Sequence, residues 1–334
     1  MATNLKSQQF NRAQAWRWPS AQSLALLVVM VLLGRLVGPA WVSELTIVGL
    51  YAITVIGLNL FMGYAGQVSL GQAGFFGIGA YAVGVTSSLY QRSPWLGLLI
   101  GMLLAALVAW MVGRVALRLK THYLALATLA FGMIADVVFQ ALPITGGNSG
   151  LVGIGGLSLG FSFSNNDYYV LVWTLVAAAS WYAIRLVGSQ SGNLLEAVRS
   201  SEIATSLLGL NPENIKREMF VLSAVMAALA GGIYASWIGY IDPTVFTFAL
   251  SINLVLMALV GGMRSVFGAI LGVGAVALLG QGLMLVGQAI SPSAGGSLEL
   301  VVYGVILVVI MMFWPEGLVS AWKGRRGKAP APQA

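Results

Sequence analysis

Long apolar stretches, separated by short polar connections, occupy most of the chain. The stretches long enough to cross a membrane as helices are about ten in number. They cover residues 22–38, 45–62, 71–90, 95–117, 123–142, 168–187, 219–239, 248–260, 267–287 and 298–314. The eighth is short for a full crossing. This pattern predicts an all-α, polytopic membrane helical bundle with about 8 to 10 transmembrane helices.

The longest polar interruption, which we call the polar island, is residues 188–217. Apolar and polar positions alternate at helical spacing between residues 194 and 208. This predicts one amphipathic helix on the membrane surface or, as an open alternative, a solvated loop helix without a partner. Gly209 can take the positive φ that ends a helix, and Pro212 discourages its continuation. The expected apolar stripe consists of Leu195, Val198, Ala204 and Leu208.

Composition supports a membrane protein and argues against several other classes. Hydrophobic residues make up 58% of the chain and charged residues 8%, with a mean hydropathy of +0.88. There is no cysteine, which removes disulfides, thiol catalysis and cysteine metal sites. The net charge of +7 comes from bases that flank apolar stretches, so nucleic-acid binding is not expected. The single histidine, His122, has no companion ligands in the sequence, so we expect no metal site and no cofactor on this chain.

The positions of lysine and arginine predict the orientation, because cytoplasmic loops retain these residues. With a cytoplasmic N-terminus, all bases except Arg35 and Arg92 fall on the cytoplasmic side, as do the polar island and the C-terminus. The expected organisation is a cytoplasmic N-terminal segment (1–21), a transmembrane domain (22–322) and a basic cytoplasmic tail (323–334). We expect the tail to be disordered.

A glycine-rich segment, residues 57–84, interrupts the apolar pattern with eight glycines. Irregular backbone at membrane depth is tolerated where protein or a water-filled cavity satisfies its amides. A broken helix that lines a polar pathway or its gate is therefore one interpretation. Close packing of small residues is the other. The candidate pathway residues are Gly66, Gln67, Ser69, Gly71 and Gln72.

Asp136 and an uncharged loop complete the set of candidate sites. Asp136 lies inside an apolar stretch, where an unpaired carboxylate is costly, so it is expected to face the pathway or to act as a hydrogen-bonded packing residue. Residues 143–160 are too long for a simple connector. They predict an ordered outer loop that closes the pathway or receives a partner, with a flexible linker as the alternative. Its candidate residues are Thr145, Gly146, Gly147 and Asn148.

The stretch from Asn253 to Gly280 loosely echoes the one from Asn59 to Gly84. In both, Asn-Leu precedes an apolar turn and then clustered glycines. Internal repeats are common among transporters, so the echo favours that class.

Six motifs follow one another along the chain, and together they are highly specific. They are GYAGQVSLGQAGFFGIGAYA (63–82), YLALATLAFGMI (123–134), TGGNSGLVGI (145–154), AVRSSEIATSLLGLNPENIKREMFVLSA (197–224), GYIDPTVF (239–246) and FWPEGLVS (313–320). In these motifs the chain resembles the permeases of branched-chain amino acid ABC transporters, particularly the LivM-type subunit.

The resemblance implies a non-enzymatic, multi-pass subunit of an importer in the bacterial inner membrane. Its partners would be membrane lipid, a LivH-type permease, a periplasmic substrate-binding protein and two cytoplasmic ATPase subunits of LivG/LivF type, which would hold ATP and Mg. The polar island matches the family's coupling loop, with Glu202, Ala204 and Gly209 at recurrent positions. Glu196 and Arg199, on the polar faces of the expected helix, complete the candidate ATPase-coupling residues.

Departures from the family leave the substrate open between branched-chain amino acids and the urea, amides or small carboxylates of a paralogue. Arg264 and Ser265 replace a glycine and a threonine of the family pattern, and the acidic pair of the coupling loop is reduced to Ser201-Glu202. An ion-coupled secondary transporter is the alternative, and it would use Asp136 as its central carboxylate. An intramembrane enzyme would need a nucleophile or metal constellation that this sequence hardly offers.

Overall fold

The computed structural model describes residues 19–36, 38–119, 121–158 and 163–290. The predicted N-terminal segment up to residue 18, the apolar stretch 298–314 and the tail 323–334 lie outside the described residues, as does the side chain of His122. The described chain is a bundle of α-helices. They are α1 (Pro19–Leu36), α2 (Pro39–Asn59), α3 (Gln72–Gly84), α4 (Pro94–Ala116), α5 (Thr121–Ala141), α6 (Asn165–Gly188), α7 (Gln190–Ser200), α8 (Glu202–Leu207), α9 (Pro212–Ile238), α10 (Phe248–Gly261) and α11 (Val266–Ile290).

Two short strands, β1 (Leu151–Val152) and β2 (Tyr240–Ile241), pair antiparallel, with Leu151 opposite Ile241. They join the loop before α6 to the loop after α9.

The prediction of an all-α polytopic membrane protein is confirmed, whereas the predicted count of about ten spans is not reached by the described residues. Five helical segments there are long and apolar enough to cross a membrane. α10 and α11 would add a sixth if counted as one span, although the chain bends by 119° between them. α3 has only 13 residues, and the apolar part of α1 is shorter than a full span. The five segments are Pro39–Tyr64, Pro94–Ala116, Tyr123–Ala141, Asn165–Gly188 and Pro212–Ile238.

Local sequence signals set several helix boundaries. α6 begins with a capping box, in which Ser164 and Asp167 satisfy each other's backbone N–H groups. α9 begins with Asn211, whose side chain accepts from two N–H groups of the first turn, followed by Pro212. Gly209 has a φ of 79°, which confirms the predicted helix end beyond α8.

α9 packs against α3 and α4 through small residues. An added Cβ at Gly79 of α3 would lie 1.9 Å from the backbone oxygen of Ala228, and one at Gly231 of α9 would lie 1.9 Å from that of Phe76. No side chain fits at such distances, so the backbones of α3 and α9 are in direct contact. This contact fixes the position of α3, whose helix continues beyond Gly84 in a π-helical turn, Val85–Leu89.

Side-chain contacts sort the helix ends into two groups. One group lies at the polar island. It includes the start of α9, which belongs to the island, the end of α4, where Arg118 pairs with Glu213 at 3.7 Å, and the α10–α11 connection, where Arg264 pairs with Glu196 at 2.8 Å. The end of α9 and the start of α6 meet on the other side, where Trp237 Nε1 donates to Asn165 Oδ1 at 2.7 Å. We call these the island end and the far end.

The polar island contains two helices instead of the single one predicted. Ser201 separates them, because its extended backbone (φ −162°) interrupts α7 and its Oγ accepts a hydrogen bond from Ala204 N at 3.2 Å, which caps α8. α7 and α8 therefore pack on the rest of the chain through different faces.

The predicted apolar stripe is therefore right for α7 and wrong for α8. Leu195 and Val198 are buried, as expected. Ala204 and Leu208 are exposed, and Thr205 is the buried residue of α8.

Candidate functional site

Two breaks between consecutive helices lie beside α7 at the island end. The first break is residues 65–71, between α2 and α3, and the second break is residues 262–265, between α10 and α11. α2 ends in a π-helical turn, Leu60–Tyr64, and Gly66 then takes a φ of 72°. Both features redirect the backbone. The predicted broken helix within residues 57–84 is thus present, and its role in a pathway stays a prediction.

Polar side chains from α5, α9 and α10 hold the first break and the start of α3. They make three hydrogen bonds: Leu70 N to Thr128 Oγ1 at 3.0 Å, Ala73 N to Ser251 Oγ at 2.9 Å, and Gln72 Nε2 to Ser223 Oγ at 2.8 Å. Because the partners come from three different helices, any displacement of these helices changes the first break.

Side chains alternate along the first break. Gln67 and Ser69 are buried, whereas Val68 and Leu70 are half-buried. Gln72, at the start of α3, is fully buried. Ser69 Oγ and Gln72 Oε1 have no hydrogen-bond partner among the described residues. Buried polar atoms without partners are costly, so these two oxygens are suited to bind a polar solute or water.

The bond to Ser223 places this polar cluster inside the apolar part of α9 but towards the island end, about 9 Å beyond Arg217, the last residue of the polar island. α9 has 27 residues, a length of about 40 Å, and Ser223 lies about 16 Å from its start. The hydrocarbon layer of a bilayer is about 30 Å thick. α3 therefore starts in the interior and runs to the far end, where Gly84 lies close to Leu151 and Ile241.

Arg199 of α7 connects the polar island to the first break. Its Nη1 donates a hydrogen bond to the backbone oxygen of Gly63, in the π turn of α2. Its side chain also lies against Gly66, where an added Cβ would be 3.0 Å from Arg199 Cγ. Hydrogen bonds from a guanidinium group are charge-assisted and therefore stronger than those between neutral groups. A movement of α7 would therefore displace or break these contacts with Gly63 and Gly66, where the first break begins.

Glu196 of α7 reaches the second break, because its Oε1 accepts from Arg264 Nη2 at 2.8 Å. Arg264 has a φ of 68°, a conformation that costs L residues energy and suits the glycine of the family pattern. Asn59 of α2 accepts from Arg264 N at 3.0 Å and donates to Ser265 O at 2.9 Å. Tyr64 OH donates to Arg264 O at 2.6 Å. α2 and α7 thus join the two breaks.

α8 carries a further connection and an exposed apolar surface. Lys216 of α9 is only 2% exposed, and its Nζ lies 2.5 Å from Glu202 Oε1. Ile203 and Leu207 are 76% and 83% exposed, so α8 presents apolar side chains away from the rest of the described chain. A hollow of about 510 Å³ lies beside them. It is lined by Glu202, Ile203, Ser206, Gly209, Leu210 and Pro212.

Asp136 lies apart from the polar cluster at Gln72. Its Oδ1 accepts from Gln140 Nε2 at 2.9 Å, one helical turn away. Asp136 is half-buried, whereas Gln140 and the neighbouring Val137 are exposed. The Asp136–Gln140 pair therefore lies at the margin of the outer surface of this chain.

The predicted outer loop lies at the far end. It forms two short 3₁₀ turns and then β1. Thr145 is buried and its Oγ1 donates to Phe139 O at 2.7 Å. Gly146 and Gly147 have positive φ, and Asn148 is exposed. The loop thus has regular structure, while its role in closing the pathway or binding a partner stays a prediction.

A separate cavity of about 510 Å³ opens between α1, α2 and α11. Trp41, Leu45, Ile270 and Leu278 form part of its wall, and Glu44 is one of its few polar groups. Walls of this kind suit hydrocarbon better than a polar solute. This cavity is therefore not part of the candidate pathway.

Five residues that hold the two breaks had not been selected from the sequence as site residues. They are Asn59, Thr128, Ser223, Ser251 and Arg264. For the hydroxyl residues the available signal was a polar side chain within an apolar stretch. For Arg264 it was the departure from glycine in the family pattern.

The family model described as "Branched-chain amino acid transport system / permease component" matches residues 41–311, which include both breaks and the polar island. No solved structure matches the chain.

Individual relatives match over most of their length. The chain is 32% identical over 323 residues to the high-affinity branched-chain amino acid transport system permease protein LivM of Escherichia coli, covering 89% of this chain and 74% of the relative. It is 25% identical to the probable LivM protein of Methanocaldococcus jannaschii, covering 81% and 90%. It is also 25% identical to the LivH protein of Escherichia coli, covering 83% and 94%. The chain therefore belongs to the family of branched-chain amino acid transport permease components.

Proposed function

We propose that this chain, a permease subunit of an ABC importer, translocates branched-chain amino acids across the bacterial inner membrane. The observation that carries the proposal is the direct connection of α7 to both breaks, through Arg199 to Gly63 and through Glu196 to Arg264. Such a connection suits a protein whose membrane segments are moved from the polar island. The substrate class rests on the relatives, whose names describe branched-chain amino acid transport.

The first break is the proposed gate. Gln67, Ser69 and Gln72 offer uncharged hydrogen-bonding groups, which can hold a zwitterion without a buried counter-charge. In the described conformation these side chains are buried, which fits a closed gate. Gly66 and Gly71 provide the backbone freedom needed for opening.

The proposed motor consists of two separate ATPase subunits that bind ATP and Mg and dock on α8. Ile203, Leu207 and the adjoining hollow form the docking surface, with Glu202, Ala204 and Gly209 at its edge. Closure of the ATPases displaces α8 and α7 together, because Ser201 is the only residue between them. The displacement acts on the breaks as far as the ATPase contacts differ between the two states.

A LivH-type permease is the proposed membrane partner. The surface of α5 that carries Asp136 and Gln140 is exposed in this chain, and a second subunit packed there would place this polar pair beside a shared pathway. A periplasmic binding protein would deliver the substrate at the far end, where Asn148 and β1 lie.

The proposed topology has about ten crossings with both termini and the polar island in the cytoplasm. Its support in the described residues is the position of the bases. Arg118, Arg185, Lys216 and Arg264 all lie at the island end, as the preference for cytoplasmic bases requires.

The test is ATP-driven uptake by the complete complex in proteoliposomes, with labelled leucine as substrate and with valine, urea and small carboxylates as competitors. Gln67→Leu and Gln72→Leu are each expected to lower uptake about tenfold, the effect of about 1.4 kcal/mol, while the complex still assembles. Gln281→Leu, the same change in α11 beside the apolar cavity, is the matched control and should leave uptake unchanged.

Normal uptake in both gate variants would remove the pathway assignment. Competition by urea or a carboxylate, without competition by valine, would correct the substrate. Uptake driven by an ion gradient in the absence of ATP would replace the importer with a secondary transporter.

A further inference from the structure

A pair of arginines and one tryptophan form an unassigned cluster at the island end. Trp110 of α4 is 42% exposed. The Cζ of Arg114 lies 5.4 Å from the centre of its ring, and the Cζ of Arg217, from α9, lies 5.7 Å from it. Two guanidinium groups from different helices therefore converge on one indole, with cation–π attraction to each.

The packing of α4 on α9 creates this convergence. Gly113 leaves room for the side chain of Arg217, since an added Cβ there would lie 3.4 Å from Arg217 Cγ. Asn214 Oδ1 accepts from Arg217 Nη2 at 2.7 Å and orients the guanidinium. The apolar stem of Arg217 is thereby held in the groove between the helices, and its charged group is presented beside Trp110.

The cluster carries uncompensated positive charge. Among the described residues neither Arg114 nor Arg217 forms an ion pair. Arg118, one turn further along the chain, is paired with Glu213 at 3.7 Å. Two like charges that share one ring repel each other, and a bound anion would relieve that repulsion.

The surroundings indicate the kind of anion. Leu103, Leu107 and Met111 on α4 are exposed and lead from the cluster along the membrane-spanning part of the helix. Trp110 occupies the interfacial level at which aromatic residues anchor membrane proteins. A ligand that combines a phosphate with long hydrocarbon chains matches both the charge and this apolar surface.

We propose that Arg114, Arg217 and Trp110 form a binding site for the phosphate head group of an anionic phospholipid, whose acyl chains lie along α4. Basic pockets between membrane helices on the cytoplasmic side bind such head groups. The site goes beyond the transport function and does not depend on the identity of the transported solute.

The test is lipid titration of the full-length chain in detergent, followed by native mass spectrometry, with phosphatidylglycerol as the probe and phosphatidylcholine as the neutral comparison. Arg114→Gln and Arg217→Gln are each expected to weaken phosphatidylglycerol binding about fivefold, and the double variant about 30-fold. Arg185→Gln is the matched control, because Arg185 stacks alone on Trp181, at 4.6 Å, on α6. It should leave this binding unchanged.

The double variant Arg114→Lys with Arg217→Lys retains the charge and should keep most of the affinity. A loss of binding confined to the glutamine variants would then result from the lost charge and not from misfolding. Equal phosphatidylglycerol binding by the wild type and the glutamine double variant would overturn the proposal. Displacement of the lipid by millimolar inorganic phosphate would also overturn it, because the site would then recognise free phosphate and not a lipid. Preference for phosphatidylcholine would count against it in the same way.

Discussion

The first and second breaks lie side by side at the island end, yet they are held in different ways. In the first break, Gly66 takes the left-handed conformation, and buried hydrogen bonds from three helices fix the segment that follows. In the second break, Arg264 takes that conformation and its side chain forms an ion pair with Glu196, with both side chains about half exposed or more. Asn59 also holds the second break to α2, so the adjustable surface contact is specifically the one between the second break and α7.

Because the two breaks are held differently, a movement of the polar island should affect them to different extents. Surface ion pairs contribute about 0 to 1 kcal/mol, so the second break can separate from α7 at little cost. The first break cannot move without exchanging several buried hydrogen bonds, each with a much larger penalty if left unmade. On the proposed function, in which the first break is the gate, movement of α7 would open it only when new partners, such as a bound solute, replace the lost hydrogen bonds.

The largest expected effect comes from Asn59→Leu, which removes the side chain that joins the two breaks. Asn59 is 2% exposed, and both ends of its amide are bonded to the second break. The change leaves Arg264 N and Ser265 O without these partners, and we expect a loss of about 2 to 4 kcal/mol. The measurement is thermal unfolding of the purified chain, with a Tm several degrees below the wild type.

Asn253→Leu is the control for this comparison. Asn253 holds the corresponding place in the sequence echo, but its side chain makes no hydrogen bond within the described part of the chain. Its Tm should stay close to that of the wild type. An equal fall in both variants would show that the bridge through Asn59 is not what holds the breaks together.

A medium effect on stability is expected from substituting the two residues with left-handed backbone conformation, Gly66 and Arg264. The loss of stability should be larger at Gly66 than at Arg264. Gly66→Ala places a Cβ in an unfavourable conformation, 3.0 Å from Arg199 Cγ, and should destabilise the chain by about 1 to 2 kcal/mol. Arg264→Gly relieves the same strain and loses one surface ion pair, so the net change should be below about 1 kcal/mol. Thermal unfolding of both variants measures the difference.

Gly209→Ala separates the two contributions at Gly66. Gly209 also has a positive φ, of 79°, but nothing lies within 4 Å of an added Cβ. It should therefore show the conformational cost alone. If Gly66→Ala were no worse than Gly209→Ala, contact with Arg199 would not contribute, and the close fit between α7 and the first break would be unimportant for stability.

The comparison also shows which features could be predicted from the sequence. Density of glycine and isolated polar residues located the first break, because both are rare in an apolar helix and have few structural uses. The partners of Gln72 and Ala73 could not be predicted, since Ser223 and Ser251 come from distant parts of the chain. The split of the polar island at Ser201 was missed because amphipathic spacing continues through it, although a serine followed by a turn of helix is a usual N-cap.

Asp136 shows what a hydropathy pattern leaves open. A carboxylate within an apolar stretch is costly only if it is buried without a partner. Here Gln140 supplies a hydrogen bond, as one of the two predictions has it, and Asp136 is half-buried while Gln140 is exposed. Where such a residue points depends on how the helix is rotated in the bundle, and a hydropathy pattern does not fix that rotation.

The smallest effect on stability is expected at the exposed ion pair between Glu196 and Arg264, the adjustable contact between α7 and the second break. Glu196→Gln keeps the shape of the side chain and removes its charge, so stability should change by less than about 1 kcal/mol. The coupling of ATP hydrolysis to uptake should nevertheless fall in the reconstituted complex, because the second break would no longer follow α7.

High salt screens exposed charges, so the wild type should approach the variant's coupling ratio as the ionic strength rises, while the variant itself changes little. Glu218→Gln, a change of an exposed acid on α9 that forms no ion pair among the described residues, is the control. A coupling ratio in Glu196→Gln equal to that of the wild type at low salt would mean that α7 acts through Arg199 and the first break alone.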